Sequence, residues 1–167
     1  EVLCTRLIAP VYGTSLYVWS ATIAVTLLAL AVGYWVGGRV ADRFPRPSTY
    51  FLLFELAALL MVTLPLIREP VLSLTIPLGL RGGALASAIV FLALPLTILG
   101  MISPYAVRLA AHLLTDLGRT AGRLYALSTA GSLIGTLVAG FYLIPTFRLR
   151  WVFLGTALVL ILPAVAY

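Results

Sequence analysis

The stretch from Ser15 to Gly38 contains no charged side chain and is long enough to cross the apolar part of a lipid bilayer as one helix. Residues 84–107 and 124–147 are likewise uncharged, and residues 50–67 contain a single charge. Charged residues make up only 10% of the chain, against about a quarter in soluble domains, while hydrophobic residues make up 62%. The sequence therefore predicts an all-α integral membrane protein.

Six helices are predicted within a single transmembrane domain, 1–167, at residues 1–10, 15–38, 49–68, 84–115, 119–146 and 150–167. The first is too short to cross a bilayer, so we expect it to be N-terminally incomplete. In this interpretation Glu1 lies inside a helix that starts upstream, and Pro10 and Gly13 end that helix in a tight turn.

All eleven basic residues are arginines, and they lie between the apolar stretches. This distribution is typical of charges that flank membrane helices, and it argues against nucleic acid as a partner. The segments between the apolar stretches alternate between the two sides of the membrane. Six arginines, Arg39 among them, fall on one side, and four, Arg68 among them, fall on the other. The side with more arginines, that of Arg39, is therefore expected in the cytoplasm. We expect a multi-pass protein of the cell membrane, specifically a prokaryotic inner membrane.

The chain has one cysteine, Cys4, and one histidine, His112, so no disulfide framework, metal cluster or haem site is predicted. The glycine pairs Gly37–Gly38 and Gly82–Gly83 lie at helix ends and not in a phosphate-binding loop after a strand. The sequence predicts no catalytic residue and no cofactor.

Small residues recur at every fourth position on two of the predicted helices, which indicates faces where helices approach closely in lipid. These residues are Ala29, Gly33 and Gly37 in the second helix, and Gly131, Gly135 and Ala139 in the fifth. Ser128 and Ser132 begin a neighbouring stripe on the fifth helix.

Glu1, Arg6 and Glu55 are charges at predicted membrane depth and need partners there. For Glu55 two interpretations stay open. It binds a proton or cation inside the bundle, or it forms a structural hydrogen bond to a neighbouring helix or extends toward the nearer interface. Glu1 and Glu55 in one cavity would suit a polyamine-like cation.

A cluster of charges, Arg39, Asp42, Arg43 and Arg46, follows the second helix, and Arg108 is expected on the same side. Asp42 is expected to pair with Arg108 or Arg119, or with a second protein. The alternative is a positive anchor at the membrane surface with a local Asp–Arg pair.

Arg108, His112 and Asp116 recur at four-residue spacing on a cytoplasmic extension of the fourth helix to about Thr115. They form either a solvated helical face or a ladder of groups that responds to pH.

The segment "GGRVADRFPRP" resembles the cytoplasmic signature loop of the major facilitator superfamily, although Pro45 replaces a glycine of that pattern. Four stretches more closely resemble the membrane domain of spermidine-synthase-like proteins, in which a transporter-like domain is fused to spermidine synthase. They are "EVLCTRLIAPVYGTSLYVW", "LALAVGYWVGGRVADR", "LGMISPYAVRLAA" and "GRLYALSTAGSLIGTLVAGFYLIP". This resemblance implies a six-helix bundle like one half of a facilitator transporter. It does not imply catalysis, because no segment reads as the aminopropyl-transferring domain.

Two functions are compatible with these features. The first is a non-catalytic, structural or accessory subunit of a larger membrane assembly, with other membrane subunits or a second copy as partners beside the lipid bilayer. The second is a half-sized facilitator-like transporter of a small cationic solute such as a polyamine, working as a dimer.

Overall fold

A computed structural model describes residues 2–110 and 117–165, which are helical apart from short turns. The helices in chain order are α1 Val2–Tyr12, α2 Leu16–Arg43, α3 Pro47–Thr75, α4 Gly79–Ala110, α5 Leu117–Val138, α6 Ile144–Thr146 and α7 Leu149–Val165. A 3₁₀ turn, Ile76–Leu78, joins α3 to α4, and a π-helical segment, Ala139–Leu143, joins α5 to the single turn α6. No strand occurs in the described ranges, so the all-α prediction is confirmed there.

Three helical runs are long and apolar enough to cross a membrane, judged by length and composition. They are Leu16–Arg43, Pro47–Ala110 and Ala121–Thr146, and the second combines α3 with α4. The apolar helices Val2–Tyr12 and Leu149–Pro163 are shorter. Because α3 and α4 contact each other, the run from Pro47 to Ala110 folds back on itself near the 3₁₀ turn.

Gly13 and Gly79 allow two sharp turns of the described chain, since both have φ of 70°, a backbone conformation that residues with a side chain rarely adopt. The Gly13 amide donates to the Ala9 carbonyl at 2.8 Å and closes α1. The prediction that Pro10 helps to end this helix is wrong, because α1 continues through Pro10 to Tyr12.

Several helices extend beyond their predicted ends. The structure continues α2 to Arg43, whereas the sequence suggested an end at Gly38, so all of "GGRVADR" is helix and the turn contains only residues 44–46. Pro47 begins α3, where a missing amide hydrogen is tolerated. The gap predicted between residues 68 and 84 is largely helical as well, because α3 reaches Thr75 and α4 starts at Gly79.

The bundle is organised around α2 and α4, which form its most extensive helix–helix contact, while α3 packs against both α4 and α7. The main buried cluster lies among α1, α2, α3, α4 and α7. It contains Cys4, Leu7, Ile8, Tyr12, Val18, Ala21, Val25, Leu64, Leu72, Ala84, Ala88, Phe91, Leu92 and Phe153. A smaller cluster of Ala41, Leu53 and Tyr105 lies under the turn between α2 and α3.

By contrast, α5 packs sparsely against the rest of the bundle. Every side chain from residue 125 to residue 138 is exposed, including the large apolar groups of Leu127, Leu133 and Ile134. This helix is therefore flanked by open space on the sides that face its neighbours.

Candidate functional site

Asp42 and Arg108 are brought together where α2 ends beside α4. Arg108 Nε lies 3.1 Å from Asp42 Oδ1, and the two side chains are 45% and 74% exposed, respectively. Of the two intrachain partners expected for Asp42, the structure selects Arg108. Because both groups are well exposed, the pair orients the two helix ends and contributes little to stability.

The other arginines of the cluster lie around this pair without carboxylate partners in the described chain. Arg39 stacks on Trp35, with its guanidinium carbon 3.6 Å from the ring centroid, and Arg43 lies 5.9 Å from the Phe44 ring. The cluster therefore presents a surplus of positive charge at this end of the bundle.

Tyr105, which the sequence did not mark as functional, holds the turn at residues 44–46. Its hydroxyl donates to the Phe44 carbonyl, accepts from the Arg46 amide at 3.2 Å and also lies 3.2 Å from the Arg46 carbonyl. The ring is fully buried, beside Ala41 and Leu53. One phenol thus adds a side-chain partner to a turn whose backbone is also bonded to itself and to the start of α3.

Glu55 lies on an exposed face of α3, near exposed Leu52, Leu56 and Leu59. No ion pair or hydrogen bond joins it to any other part of the chain that the structure describes. The structure does not bring Glu55 and Arg6 together, and Glu1 lies outside the described residues, as do His112 and Asp116.

Arg6 instead joins α1 to α6. Its Nη1 donates to the Ile144 carbonyl at 2.8 Å, a group near the end of a helical run that lacks an intrahelical partner. Arg68 makes a similar contact, since its Nε donates to the Leu7 carbonyl at 3.2 Å. These two arginines thus donate hydrogen bonds to backbone carbonyls and form no ion pair with a carboxylate in the described chain.

The first small-residue stripe lies against α4. A Cβ placed on Gly37 would be 2.6 Å from Met101 Cα, and one placed on Gly33 would collide with the Thr97 carbonyl. Ala29 is buried, and its carbonyl accepts from the Thr97 hydroxyl at 3.3 Å. The absence of side chains at Gly33 and Gly37 is thus what allows the two backbones to approach each other closely.

The second stripe lies open. Nothing comes within 4 Å of a Cβ placed on Gly131 or Gly135. Together with Ala139 these residues line an apolar cleft of about 860 Å³, whose opposite wall is α7 from Trp151 to Val159.

The neighbouring serine stripe of α5 lines a different cleft. Ser128 and Ser132 face α2 and α4 across about 450 Å³, together with Tyr34, Tyr50 and Ser103. Neither cleft is lined by an acidic or basic side chain. Among the described residues no group of three or more His, Cys, Asp or Glu could hold a metal ion.

A buried hydroxyl network, also missed from the sequence, fastens α1, α3 and α4 at the end of the bundle far from Asp42. Tyr12 donates to Thr75 Oγ1 at 2.8 Å, and the hydroxyls of Thr75 and Ser87 are 2.9 Å apart. Thr75 Oγ1 also lies 3.0 Å from the Val71 carbonyl, so each hydrogen has an acceptor. Gly83 leaves the space that the Tyr12 hydroxyl occupies.

In comparisons with known proteins, no family model, no curated protein and no solved structure matches this chain.

Proposed function

We propose that the chain is a multi-pass protein of the cell membrane, such as a prokaryotic inner membrane, and a non-catalytic structural or accessory subunit of a larger membrane assembly. The proposal includes a six-helix bundle comparable to half of a facilitator transporter and to the membrane domain of spermidine-synthase-like proteins. Three long apolar helical runs and the motif resemblance given above support it.

The observation that carries the subunit role is the carboxylate of Glu55, which has no partner among the residues that the structure describes. It lies eight residues after the start of α3, or about 12 Å along the helix axis. At that depth, placing an ionised group against lipid costs roughly several kcal/mol of free energy unless the group is paired. Because Glu55 is exposed and unpaired within the described chain, a second protein that covers this face of α3 supplies the missing partner.

The same geometry disfavours transport of a cation as the main function. A cation site needs a carboxylate that opens to a cavity, and Glu55 lines neither of the two clefts that flank α5. The hydroxyl-lined cleft offers only neutral groups to a solute.

Photocrosslinking in native membranes tests the subunit role. A photoreactive residue in place of Leu59, one turn from Glu55 and 61% exposed, is expected to label a membrane segment of an unlike protein. That segment is expected to carry a basic or hydrogen-bond-donating side chain at matching depth. The control is Leu27, which is 63% exposed on α2 and is expected to label lipid.

Glu55→Leu is expected to abolish labelling from position 59, whereas Glu55→Gln, which still forms hydrogen bonds, is expected to retain part of it. Labelling of lipid alone at position 59 would contradict the proposal. Uptake of a radiolabelled polyamine by vesicles containing only this chain, lost in Glu55→Gln, would support the transporter instead.

A further inference from the structure

The cleft between α5 and α7 is apolar along its whole length. Its walls include Ile134 and Val138 on one side and Val152 and Val159 on the other. The only hydroxyl in the lining, that of Thr156, already bonds the Val152 carbonyl. A molecule held along these walls therefore has to be apolar where it contacts them.

Glycines set the width of the cleft. Gly131 and Gly135 on α5 and Gly155 on α7 all have open space where a side chain would lie. A narrow, flexible chain can follow such a channel between two helices, as a hydrocarbon tail does.

Arginines flank one end of the cleft without lining it. Phe147 and Trp151 line that end, and the exposed residues Arg148 and Arg150 lie between and beside them at the junction of α6 with α7. Neither arginine side chain forms an ion pair or hydrogen bond within the described chain. The sequence from 117 to 165 contains no acidic residue. On α3, which packs against α7, the exposed carboxylate of Glu69 forms no ion pair with either arginine in the described chain.

Arg6 adds a third guanidinium near this end. It uses one N–H on the Ile144 carbonyl, next to Leu143 in the cleft lining, which leaves further donors available. Guanidinium groups bind phosphate through paired N–H donors, and basic groups beside an apolar cleft are the arrangement that recognises lipid head groups.

We infer that this cleft binds one anionic glycerophospholipid, with an acyl chain between α5 and α7 and its phosphate at Arg148 and Arg150. The inference rests on the membrane location proposed above and not on any partner subunit. Charge complementarity selects a lipid over a partner helix, because an apolar helix would leave the arginines unpaired.

The test uses the purified full chain in vesicles that contain equal amounts of phosphatidylglycerol and phosphatidylcholine, followed by native mass spectrometry of the extracted protein. One phosphatidylglycerol is expected to remain bound in preference to phosphatidylcholine. The double variant Arg148→Gln/Arg150→Gln is expected to reduce that preference about tenfold, as loss of charge-assisted hydrogen bonds implies. The matched control, Arg119→Gln/Arg123→Gln near the start of α5, is expected to leave the preference unchanged.

A second variant separates the tail from the head group. Gly135→Leu places a side chain in the cleft, at a position where an added Cβ meets no other atom, and is expected to weaken binding of lipid with either head group. Gly122→Leu is equally open at its Cβ but lies outside the cleft, and it is expected to have no such effect. Equal retention of the two lipids by the unaltered chain, or undiminished lipid retention by Gly135→Leu, would overturn the inference.

Crosslinking in native membranes distinguishes the remaining occupants. A photoreactive residue in place of Ile134 is expected to label phospholipid. Labelling of a peptide at this position would overturn the lipid site while leaving the subunit role intact, and failure of the chain to enter vesicles would overturn both proposals.

Discussion

At the scale of single residues, the contacts differ in how far the sequence could predict them. The Asp42–Arg108 pair could be predicted, because opposite charges at the ends of neighbouring helices attract, although Arg119 was an equal candidate from the sequence. The Tyr12–Thr75–Ser87 network was not, since hydroxyl groups in three separate helices carry no spacing that reveals their partners.

Tyr12→Phe tests how much that network stabilises the bundle. The variant keeps the buried ring and removes only the donor to Thr75, so the free energy of unfolding is expected to fall by about 1 kcal/mol. Unfolding by detergent titration, followed by circular dichroism, measures the change. Tyr125→Phe on the exposed face of α5 serves as the control, and an equal loss in both variants would argue against the network.

Tyr105→Phe tests the anchor of the turn between α2 and α3. Removal of the hydroxyl takes away the side-chain partner that ties the backbone of Phe44 and Arg46 to α4, so amide hydrogen exchange at residues 44–50 is expected to accelerate. Mass spectrometry of peptic fragments locates the change. The hydroxyl of Tyr34 has no partner in the described chain, so Tyr34→Phe is expected to leave amide exchange at this turn unchanged.

At the scale of elements, helix existence was predictable and helix ends were not. The long apolar stretches indicated each helix, but α2 continues past Gly38 because tertiary contacts support its last turns. The tertiary contact is that of Ala41, which is fully buried next to Tyr105 of α4, and within α2 Arg39 also stacks on Trp35 one turn earlier. The π-helical segment 139–143 was also missed, although Pro145, which cannot donate to the carbonyl of residue 141, marks local disruption.

Alanine substitutions at two neighbouring glycines of α2 are expected to change stability in opposite directions. Gly37→Ala places a methyl group 2.6 Å from Met101 Cα, so α2 and α4 have to separate and stability is expected to fall by about 1–3 kcal/mol. Gly38→Ala meets open space and is expected to raise stability by about 0.5–1 kcal/mol, because alanine favours the helix. The same detergent titration measures both, and effects of equal sign would show that α2 and α4 are not packed through Gly37.

At the scale of the whole molecule, the chain's apolar composition indicated the class of fold, but nothing in it indicated that α5 stands apart. The two small-residue stripes look alike in sequence, yet one is pressed against α4 and the other lines a cleft. Small residues permit close approach without naming the neighbour, so a pattern on one helix cannot decide which surface covers it.

The helical run Pro47–Ala110 allows a last prediction, about topology. Because α3 and α4 fold back on each other at the turn Ile76–Leu78, a membrane-embedded chain places this turn on the side opposite the turn at residues 44–46. Single cysteines replacing Pro45, Leu78 or Gly118 in a Cys4→Ser background report the sides through a membrane-impermeant thiol reagent. The positions of the arginines predict labelling of 45 and 118 in inverted vesicles and of 78 in right-side-out vesicles. Labelling of all three from one side would contradict two crossings by this run and, with them, the proposed membrane bundle.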